Sequence, residues 1–215
     1  MTLTVSEIFY SIEGETTRAG FPAVFVRLAG CNLRCRYCDT RHAWEGGAAM
    51  GIDEIVARVD RYASADHVTV TGGEPLLQGE CGALARRLLA AGRAVQIETN
   101  GSVSLEAVPA GARSIMDVKT PSSGEAGSFL TDNVRRLRAG DELKFVISSI
   151  EDYAFSREFI TANAVPAGVA VNFSANVDEM SFTKLAGMIL DDRLPVRLNM
   201  QLHTIIWPRG EPVHR

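Results

Sequence analysis

The sequence lacks any apolar run that approaches the roughly 20 residues of a membrane-spanning helix. Its N-terminus has no basic start followed by a continuous apolar stretch, so we expect no secretory signal peptide. Cationic residues are scattered, with 22 Lys and Arg against 26 Asp and Glu, a formal net charge of -4 and no basic stripe. We therefore expect a soluble, cytoplasmic protein whose ligand is a small molecule, with neither a membrane nor a nucleic acid as partner.

Cysteine is also scarce, but three of the four cysteines fall within eight residues. Cys31, Cys35 and Cys38 are separated by three and two residues, while Cys81 stands alone. In a reducing compartment clustered cysteines bind metal more often than they form disulfides. Three thiolates on one loop can hold a metal centre but cannot complete it, so one coordination position is left open for chemistry.

Two kinds of metal centre fit this spacing. A structural zinc site needs four ligands, usually in two separated pairs, and His42 or His67 could complete one. Cys81 recurs at helical spacing with Leu84 and Leu88, which favours a place in the core. The other candidate is a 4Fe-4S cluster held by three thiolates.

The order of the predicted elements indicates one α/β domain over residues 1–215. There is no internal repeat, low-complexity tract or long linker. Short β-branched or aromatic runs predict strands at 23–28, 67–70, 94–97, 114–118, 143–147, 169–173 and 196–202. Apolar residues three and four apart predict helices at 52–62, 81–88, 153–162 and 180–190. Alternating strands and helices pair in parallel, and the chain is shorter than the ~250 residues of a full barrel. We expect a partial (β/α) barrel of about six parallel strands.

Polar residues two apart on several of these strands lie on one face of the sheet. Left dry and unpaired inside a barrel, such residues would cost several kcal/mol each. They indicate a polar ligand cavity, or alternatively a half-exposed sheet face. The sets are Gln96, Glu98 and Asn100; Asp117 and Lys119; Glu142 and Lys144; Asn172, Ser174 and Asn176; and Asn199, Gln201 and His203.

The spacing of Cys31, Cys35 and Cys38 after the first strand of a barrel resembles the radical S-adenosylmethionine superfamily. The resemblance implies a 4Fe-4S cluster whose unique iron binds the amino and carboxylate groups of S-adenosylmethionine. Reductive cleavage of that cosubstrate releases a 5'-deoxyadenosyl radical. Tyr37 matches the aromatic position that the superfamily uses near the adenine.

A second element supports the resemblance. Thr71 precedes Gly72, Gly73, Glu74 and Pro75 at the end of a predicted strand, as in the superfamily's Gly-Gly-Glu turn. Glycine lets backbone approach a ligand closely, and a glutamate accepts hydrogen bonds from a cation. The resemblance implies that this turn binds the methionyl ammonium.

Further segments resemble the 7-carboxy-7-deazaguanine synthase family in order along the chain. They are residues 7–15, 25–32, 38–40, 98–101, 117–123 and 201–203. The resemblance implies a magnesium-dependent carbon–nitrogen lyase of 7-deazapurine (queuosine precursor) biosynthesis. It would convert 6-carboxy-5,6,7,8-tetrahydropterin to 7-carboxy-7-deazaguanine with loss of ammonia. The alternatives are a glycyl-radical-enzyme activase and a non-catalytic zinc or iron-sulfur binding module.

The same resemblance implies roles for individual residues. Thr40 would bind Mg2+. S-adenosylmethionine would contact Tyr37, Cys38, Asp39, Gly72, Gly73, Glu74, Asp117, Val118, Lys119, Ser174 and Asn176. The pterin would contact Ile12, Glu13, Gly14, Glu15, Arg27, Thr71 and His203. No catalytic residue is expected beyond the cluster and the adenosyl radical. A homodimer and an electron donor such as flavodoxin or ferredoxin are the expected partners.

Three of these residues have competing structural interpretations, and other positions depart from the family pattern. Arg27 could pair with a carboxylate at the sheet edge, Thr40 could cap the next segment, and His203 could be a core histidine. Glu13 stands where the family commonly has Gln, and Asp117 where it commonly has Ser. Residues 207–215 extend beyond His203, and this tail could approach the substrate.

Overall fold

A single mixed β-sheet organises the chain in a computed structural model that describes residues 1–62 and 64–207. Its strands are β1 (Thr2–Ile12), β2 (Pro22–Leu28), β3 (Ala48–Gly51), β4 (His67–Gly72), β5 (Ala94–Thr99), β6 (Arg113–Asp117), β7 (Glu142–Ile147), β8 (Ala170–Ala175) and β9 (Arg197–Asn199). They lie in the order β3-β1-β2-β4-β5-β6-β7-β8-β9. The tail beyond residue 207, where a substrate contact was considered, lies outside the described residues.

Seven of the strands, β2 and β4 to β9, run parallel. The first strand β1 is antiparallel to both β2 and β3, and β3 is the edge strand on this side of the sheet. The partial barrel is therefore confirmed, with seven parallel strands where about six were expected.

The described residues form six α-helices, of which the first five lie between strands and the sixth follows β9. They are α1 (Ile52–Asp60), α2 (Cys81–Ala90), α3 (Asp132–Arg136), α4 (Ile150–Ala162), α5 (Phe182–Asp191) and α6 (Leu202–Ile206). Apolar side chains spaced three and four apart bury one face of α1 and α2, as the sequence predicts. Cys81 is 1% exposed on the buried face of α2, among the core residues. Within the described chain, every helix is too short or too polar to cross a membrane.

The predicted strand at 196–202 is wrong in its second half, because β9 ends at Asn199 and the chain turns into α6. The backbone NH of Leu202 donates to the Gly14 carbonyl at 2.9 Å, and Asn199 Oδ1 accepts from the Thr16 NH at 3.1 Å. These bonds to the turn after β1 draw the segment across the sheet instead of along β8. The short helix α3 was also not predicted.

The polar sets predicted on the strands are inside the fold and not on a solvent-facing surface. Gln96, Asn172, Ser174 and Asn199 are 1% exposed or less. Because such groups are stable in the interior only when hydrogen-bonded, each strand must find a polar partner on the next. This polar interior opens at the carboxyl ends of the parallel strands, where ligand sites of such folds lie.

Candidate active site

The cysteine loop and the Gly-Gly turn are joined by backbone hydrogen bonds. They follow the neighbouring strands β2 and β4, whose carboxyl ends meet at one edge. Gly73 NH donates to the Leu28 carbonyl at 3.2 Å, and Glu74 NH donates to the Gly30 carbonyl at 2.8 Å. Two segments more than 40 residues apart are thereby held as one surface.

Only glycine fits at the two turn positions. A Cβ on Gly73 would lie 2.3 Å from the Gly30 oxygen and 2.6 Å from the Cys31 Cβ. One on Gly72, where φ is +152°, would lie 2.1 Å from the Leu28 oxygen. The absent side chains are therefore what brings the turn against the cysteine loop.

Glu74 is fully buried, and its carboxylate is bound by its own chain. Oε1 accepts from the Leu76 NH at 3.0 Å and from the Thr99 hydroxyl at 2.9 Å, and Oε2 accepts from the Asn100 NH at 2.6 Å. Burial raises the pKa of Glu74, while these hydrogen bonds oppose the shift. In this arrangement the carboxylate fastens the turn to the end of β5.

The three clustered thiols are all free. Cys35 is buried, and Cys31 and Cys38 are half-buried. Burial raises the pKa of Cys31 and raises that of Cys35 to about 11; Lys119 opposes both shifts and favours the thiolates. Three unpaired thiols on one loop beside a cation fit the ligand set of a 4Fe-4S cluster.

A zinc site finds no fourth ligand here. His67 pairs with Ala23 at the amino end of β2, the opposite end from the cysteine loop. His42 lies against Glu7, with Nε2 at 3.2 Å from Oε1. Across residues 1–62 and 64–207, no three His, Cys, Asp or Glu side chains already converge on a metal position.

A chain of charges crosses the interior from the cysteine loop to the turn after β1. Asp117 Oδ2 lies 3.1 Å from Lys119 Nζ and 3.5 Å from Lys144 Nζ. Lys144 Nζ also lies 2.5 Å from Glu15 Oε2. Although burial alone would raise the pKa of Asp117, the two lysines hold it below its ordinary value.

One carboxylate oxygen in this chain of charges has no donor among the described residues. Asp117 Oδ1 is buried and has no hydrogen-bond partner in the described part of the chain. A buried unpaired carboxylate oxygen is costly, so it points to a donor that arrives with a ligand. The neighbouring Val118 is buried, and its NH donates to the Lys144 carbonyl at 2.9 Å.

The turn after β1 places Glu13 beneath the cleft. Glu13 is 3% exposed, and its Oε2 accepts from Thr69 Oγ1 and from Gln96 Nε2, both at 2.7 Å. Burial, with the nearby Glu98 carboxylate as the second cause, raises the pKa of Glu13 to about 8.

The C-terminal segment closes over this turn. Gln201 Nε2 donates to Glu15 Oε1 at 2.7 Å, and the Leu202 NH donates to the Gly14 carbonyl. A Cβ on Gly14 would lie 2.4 Å from His203 Nδ1, so the imidazole lies directly against this glycine. His203 is half-buried at the cleft and is not a core residue.

Arg27 on β2 is paired with a carboxylate of the neighbouring β1, which is the structural alternative considered for this residue. Its Nε donates to Glu7 Oε1 at 2.8 Å, and its guanidinium lies 5.5 Å from the Phe9 ring centroid. On the neighbouring β4, Thr71 is in register with Arg27 and donates its hydroxyl to Glu98 Oε2 at 2.8 Å. Ile12 is half-buried at the end of β1.

Thr40 does not cap the segment that follows. It precedes the short 3-10 helix Arg41–Ala43, but its side chain makes no capping hydrogen bond. Its hydroxyl donates instead to Asp39 Oδ1 at 2.8 Å, on the exposed side of the cysteine loop. This leaves the hydroxyl lone pairs and a carboxylate together, the oxygen donors that Mg2+ prefers.

The remaining predicted contacts lie in the cysteine loop and at the end of β8. Burial raises the pKa of Tyr37 to about 12, so the phenol stays neutral. Ser174 Oγ accepts from Asn199 Nδ2 at 2.9 Å, and Asn176 Nδ2 donates to Ser148 Oγ at 3.0 Å.

Five residues that build this cleft were marked by the sequence only as members of the polar sets, without a contact assigned to any of them. They are Gln96, Glu98, Lys144, Asn199 and Gln201. Sequence reasoning missed Thr69, although its position two residues before Thr71 on β4 places both on one face of the sheet.

The chain resembles known proteins in both sequence and structure. Residues 25–122 match the model of the Radical SAM superfamily. The 7-carboxy-7-deazaguanine synthase of Koribacter versatilis (strain Ellin345) is 41% identical over 95% of this chain and 97% of that protein. The enzyme of the same name from Methanospirillum hungatei JF-1 is 39% identical over 95% of this chain and 85% of that one. The crystal structure of QueE from Escherichia coli superposes with a TM-score of 0.79 at 24% identity, covering 94% of each chain.

Proposed function

This chain belongs to the 7-carboxy-7-deazaguanine synthase family of the radical S-adenosylmethionine superfamily, and we propose that its cleft is divided between a cluster with its cosubstrate and a carboxylated tetrahydropterin. Its function is the conversion of 6-carboxy-5,6,7,8-tetrahydropterin to 7-carboxy-7-deazaguanine with loss of ammonia, in 7-deazapurine biosynthesis. The observation that best supports this function is that the Gly72–Gly73 turn is hydrogen-bonded and closely packed against the cysteine loop, with a polar cleft opening beside both.

The cofactors are a 4Fe-4S cluster, S-adenosylmethionine and Mg2+. The cluster would be held by Cys31, Cys35 and Cys38, which fit it because they are free and share one loop. When bound, it supplies the electron for reductive cleavage of the cosubstrate. The protein's own part is to hold the three thiols, and Lys119 favours the charged form of Cys31 and Cys35.

The cosubstrate site would run from the Gly-Gly turn to the end of β6. The backbone of Gly72 and Gly73 meets the methionyl end, and Glu74 keeps that backbone in place through its bonds to β5. The unpaired Asp117 Oδ1 accepts from an incoming donor, and Lys119 neutralises a carboxylate. The other contacts in this site would be Tyr37, Cys38, Asp39, Val118, Ser174 and Asn176.

The pterin site would lie between the turn after β1 and the end of β4. A carboxylated pterin has an anionic end and a guanidine-like edge, so it needs cations and acceptors. Arg27 supplies a planar guanidinium, and Thr71 lies beside it in register. The turn and the C-terminal segment would complete the site with Ile12, Glu13, Gly14, Glu15 and His203.

Magnesium would be bound by Thr40, together with substrate oxygens and water. Mg2+ keeps most of its waters and uses few protein ligands, so one hydroxyl is a credible protein contribution. The hydroxyl's position beside Asp39 supports this role, because it makes no capping bond.

Other features of the family are proposals for this chain. One sheet runs from β1 to β9, which supports a single domain over residues 1–215. An electron donor of the flavodoxin or ferredoxin type, a homodimer and a cytoplasmic location would complete the setting.

Isotope transfer tests the proposed chemistry. With substrate deuterated at C6, the 5'-deoxyadenosine released in anaerobic turnover should carry deuterium, since the adenosyl radical takes that hydrogen. Cosubstrate cleavage without deuterium transfer from C6 would contradict the proposed reaction.

A further inference from the structure

Glu13 is a buried carboxyl whose two oxygens are in unequal surroundings. Oε2 accepts two hydrogen bonds of 2.7 Å, from Thr69 Oγ1 and Gln96 Nε2. In the described chain Oε1 makes only a 3.3 Å contact with the Glu15 NH. A proton on this carboxyl therefore belongs on Oε1, because Oε2 already accepts from two donors.

The charged groups around Glu13 come from every element packed against it. Glu98 on β5 and Glu15 in the same turn disfavour its ionisation. Arg18, in the loop after the turn, is attracted to its charge, and Lys144 on β7 is already engaged by Glu15. The half-buried His203 lies against the neighbouring Gly14.

The contacts of Glu13 are all hydrogen bonds from uncharged groups. Those from Thr69 and Gln96 favour the charged carboxylate and so oppose the effect of burial. No cation lies within ion-pair distance of Glu13 among the described residues, and the Oε1 of the completely buried Gln96 has no partner there either. An ionised Glu13 would therefore be a buried charge without an opposite charge in contact.

We propose that Glu13 is held as a neutral carboxylic acid by its burial beside Glu98 with no cation in contact among the described residues, and that this proton lets the cleft accept an anionic, carboxylated pterin. Glu15 already supplies negative charge beside Lys144, so a further carboxylate beneath it would repel the ligand's anionic end. Glu13 is then a specificity-determining residue, and its Oε1 hydroxyl is a donor available to a carbonyl acceptor. This inference rests on the proposed function for the ligand class, but its proton assignment does not.

The test measures the affinity of the reconstituted holoenzyme, with its cluster oxidised, for 6-carboxypterin, a carboxylated pterin that is not turned over. Kd is measured by fluorescence titration against pH for the wild type and for Glu13→Gln, which keeps a neutral side chain of the same shape. The ligand's own titration is common to both proteins, so their ratio of Kd values reports on Glu13. The wild-type to variant ratio should be flat below about pH 7 and should rise up to tenfold per pH unit above about pH 8. A ratio that stays flat while the ligand binds overturns the inference.

Infrared spectroscopy of the same proteins tests the proton without any ligand. The wild type minus Glu13→Gln difference spectrum should show the C=O stretch of a protonated carboxyl at neutral pH, and it should disappear on raising the pH past about 8. Glu158→Gln, at an exposed position on α4, is the control for the effect of replacing a glutamate outside the cleft. Absence of the protonated band for Glu13 overturns the proton assignment. A protonated band without pterin binding at any pH would leave that assignment in place but overturn the ligand class, and with it the proposed function.

Discussion

At the scale of single residues, Cys35 and Cys81 are both buried thiols with different surroundings. Cys81 lies in the apolar core, where burial, with the Glu74 charge as the second cause, raises its pKa to about 12. Cys35 lies near Lys119, which opposes the effect of burial. A thiolate ligand needs a stabilising charge, so the two cysteines should differ in metal binding.

Replacing each cysteine with alanine tests this difference. Cys35→Ala should abolish the 4Fe-4S absorbance of anaerobically reconstituted protein, because two thiolates on this loop do not hold the cluster. Cys81→Ala should keep the full iron content and should destabilise the protein by about 1–2 kcal/mol, through loss of packing. Iron analysis and visible spectra measure the cluster content of both variants. Loss of the cluster in Cys81→Ala and its retention in Cys35→Ala would contradict the ligand assignment.

Glu13 also makes the stability of the protein dependent on pH. Its pKa is raised from 4.5 to about 8 on folding, so its contribution is fully present below about pH 4.5 and is lost as the pH rises through about 8. Relative to wild type, Glu13→Gln should become more stable by up to about 1.4 kcal/mol per pH unit between these values. Chemical denaturation across this range measures it; a constant difference would contradict the shift.

Sequence could identify these residues but not the direction of their side chains. The turn motif gives Glu74 its place in the chain, and its carboxylate is nevertheless fully occupied by Leu76, Thr99 and Asn100. Thr99 and Asn100 belong to the next strand and turn, so these hydrogen bonds depend on tertiary packing. A local sequence motif cannot predict them.

At the scale of the elements, the strand–helix alternation predicts the parallel sheet because each βα unit is a local pattern. It does not predict the antiparallel edge formed by β1 and β3, since the direction in which a first strand pairs depends on contacts distant in sequence. The close approach of the Gly-Gly turn to the cysteine loop was likewise visible only in the structure.

Glycine-to-alanine substitutions test that approach. Gly73→Ala places a Cβ against the Gly30 backbone, so the two loops must separate. We expect a loss of about 1–3 kcal/mol in stability and at least about tenfold weaker S-adenosylmethionine binding. The matched control is Gly79→Ala, five residues past Glu74, where a Cβ meets no atom of the described chain within 4 Å. Equal cosubstrate affinity in both variants, measured by calorimetry, would contradict the role of the turn.

At the scale of the whole molecule, the sheet remains open, but the segment after the last strand closes over the turn after the first. The segment after β9 binds the turn after β1 through Gln201 and Leu202, and Glu15 continues this contact to Lys144. No local sequence signal predicts this closure, because the two partners are nearly 190 residues apart.

Gln201→Leu should weaken this closure. Loss of its hydrogen bond to the Glu15 carboxylate should raise KM for the pterin about tenfold while the cluster is retained. Asn163→Leu, which removes one side-chain hydrogen bond at the end of α4 away from the cleft, is the control and should leave KM unchanged. A KM that is unchanged in Gln201→Leu would contradict the role of the closure in substrate binding.

The most direct test of the account is anaerobic turnover by the reconstituted, reduced protein. S-adenosylmethionine and 6-carboxy-5,6,7,8-tetrahydropterin are added with and without Mg2+, and products are identified by mass. We predict 7-carboxy-7-deazaguanine and ammonia, with product formation stimulated by Mg2+ in the wild type and less so in Thr40→Ala. Protein with an intact cluster that forms no deazaguanine product would contradict the central claim.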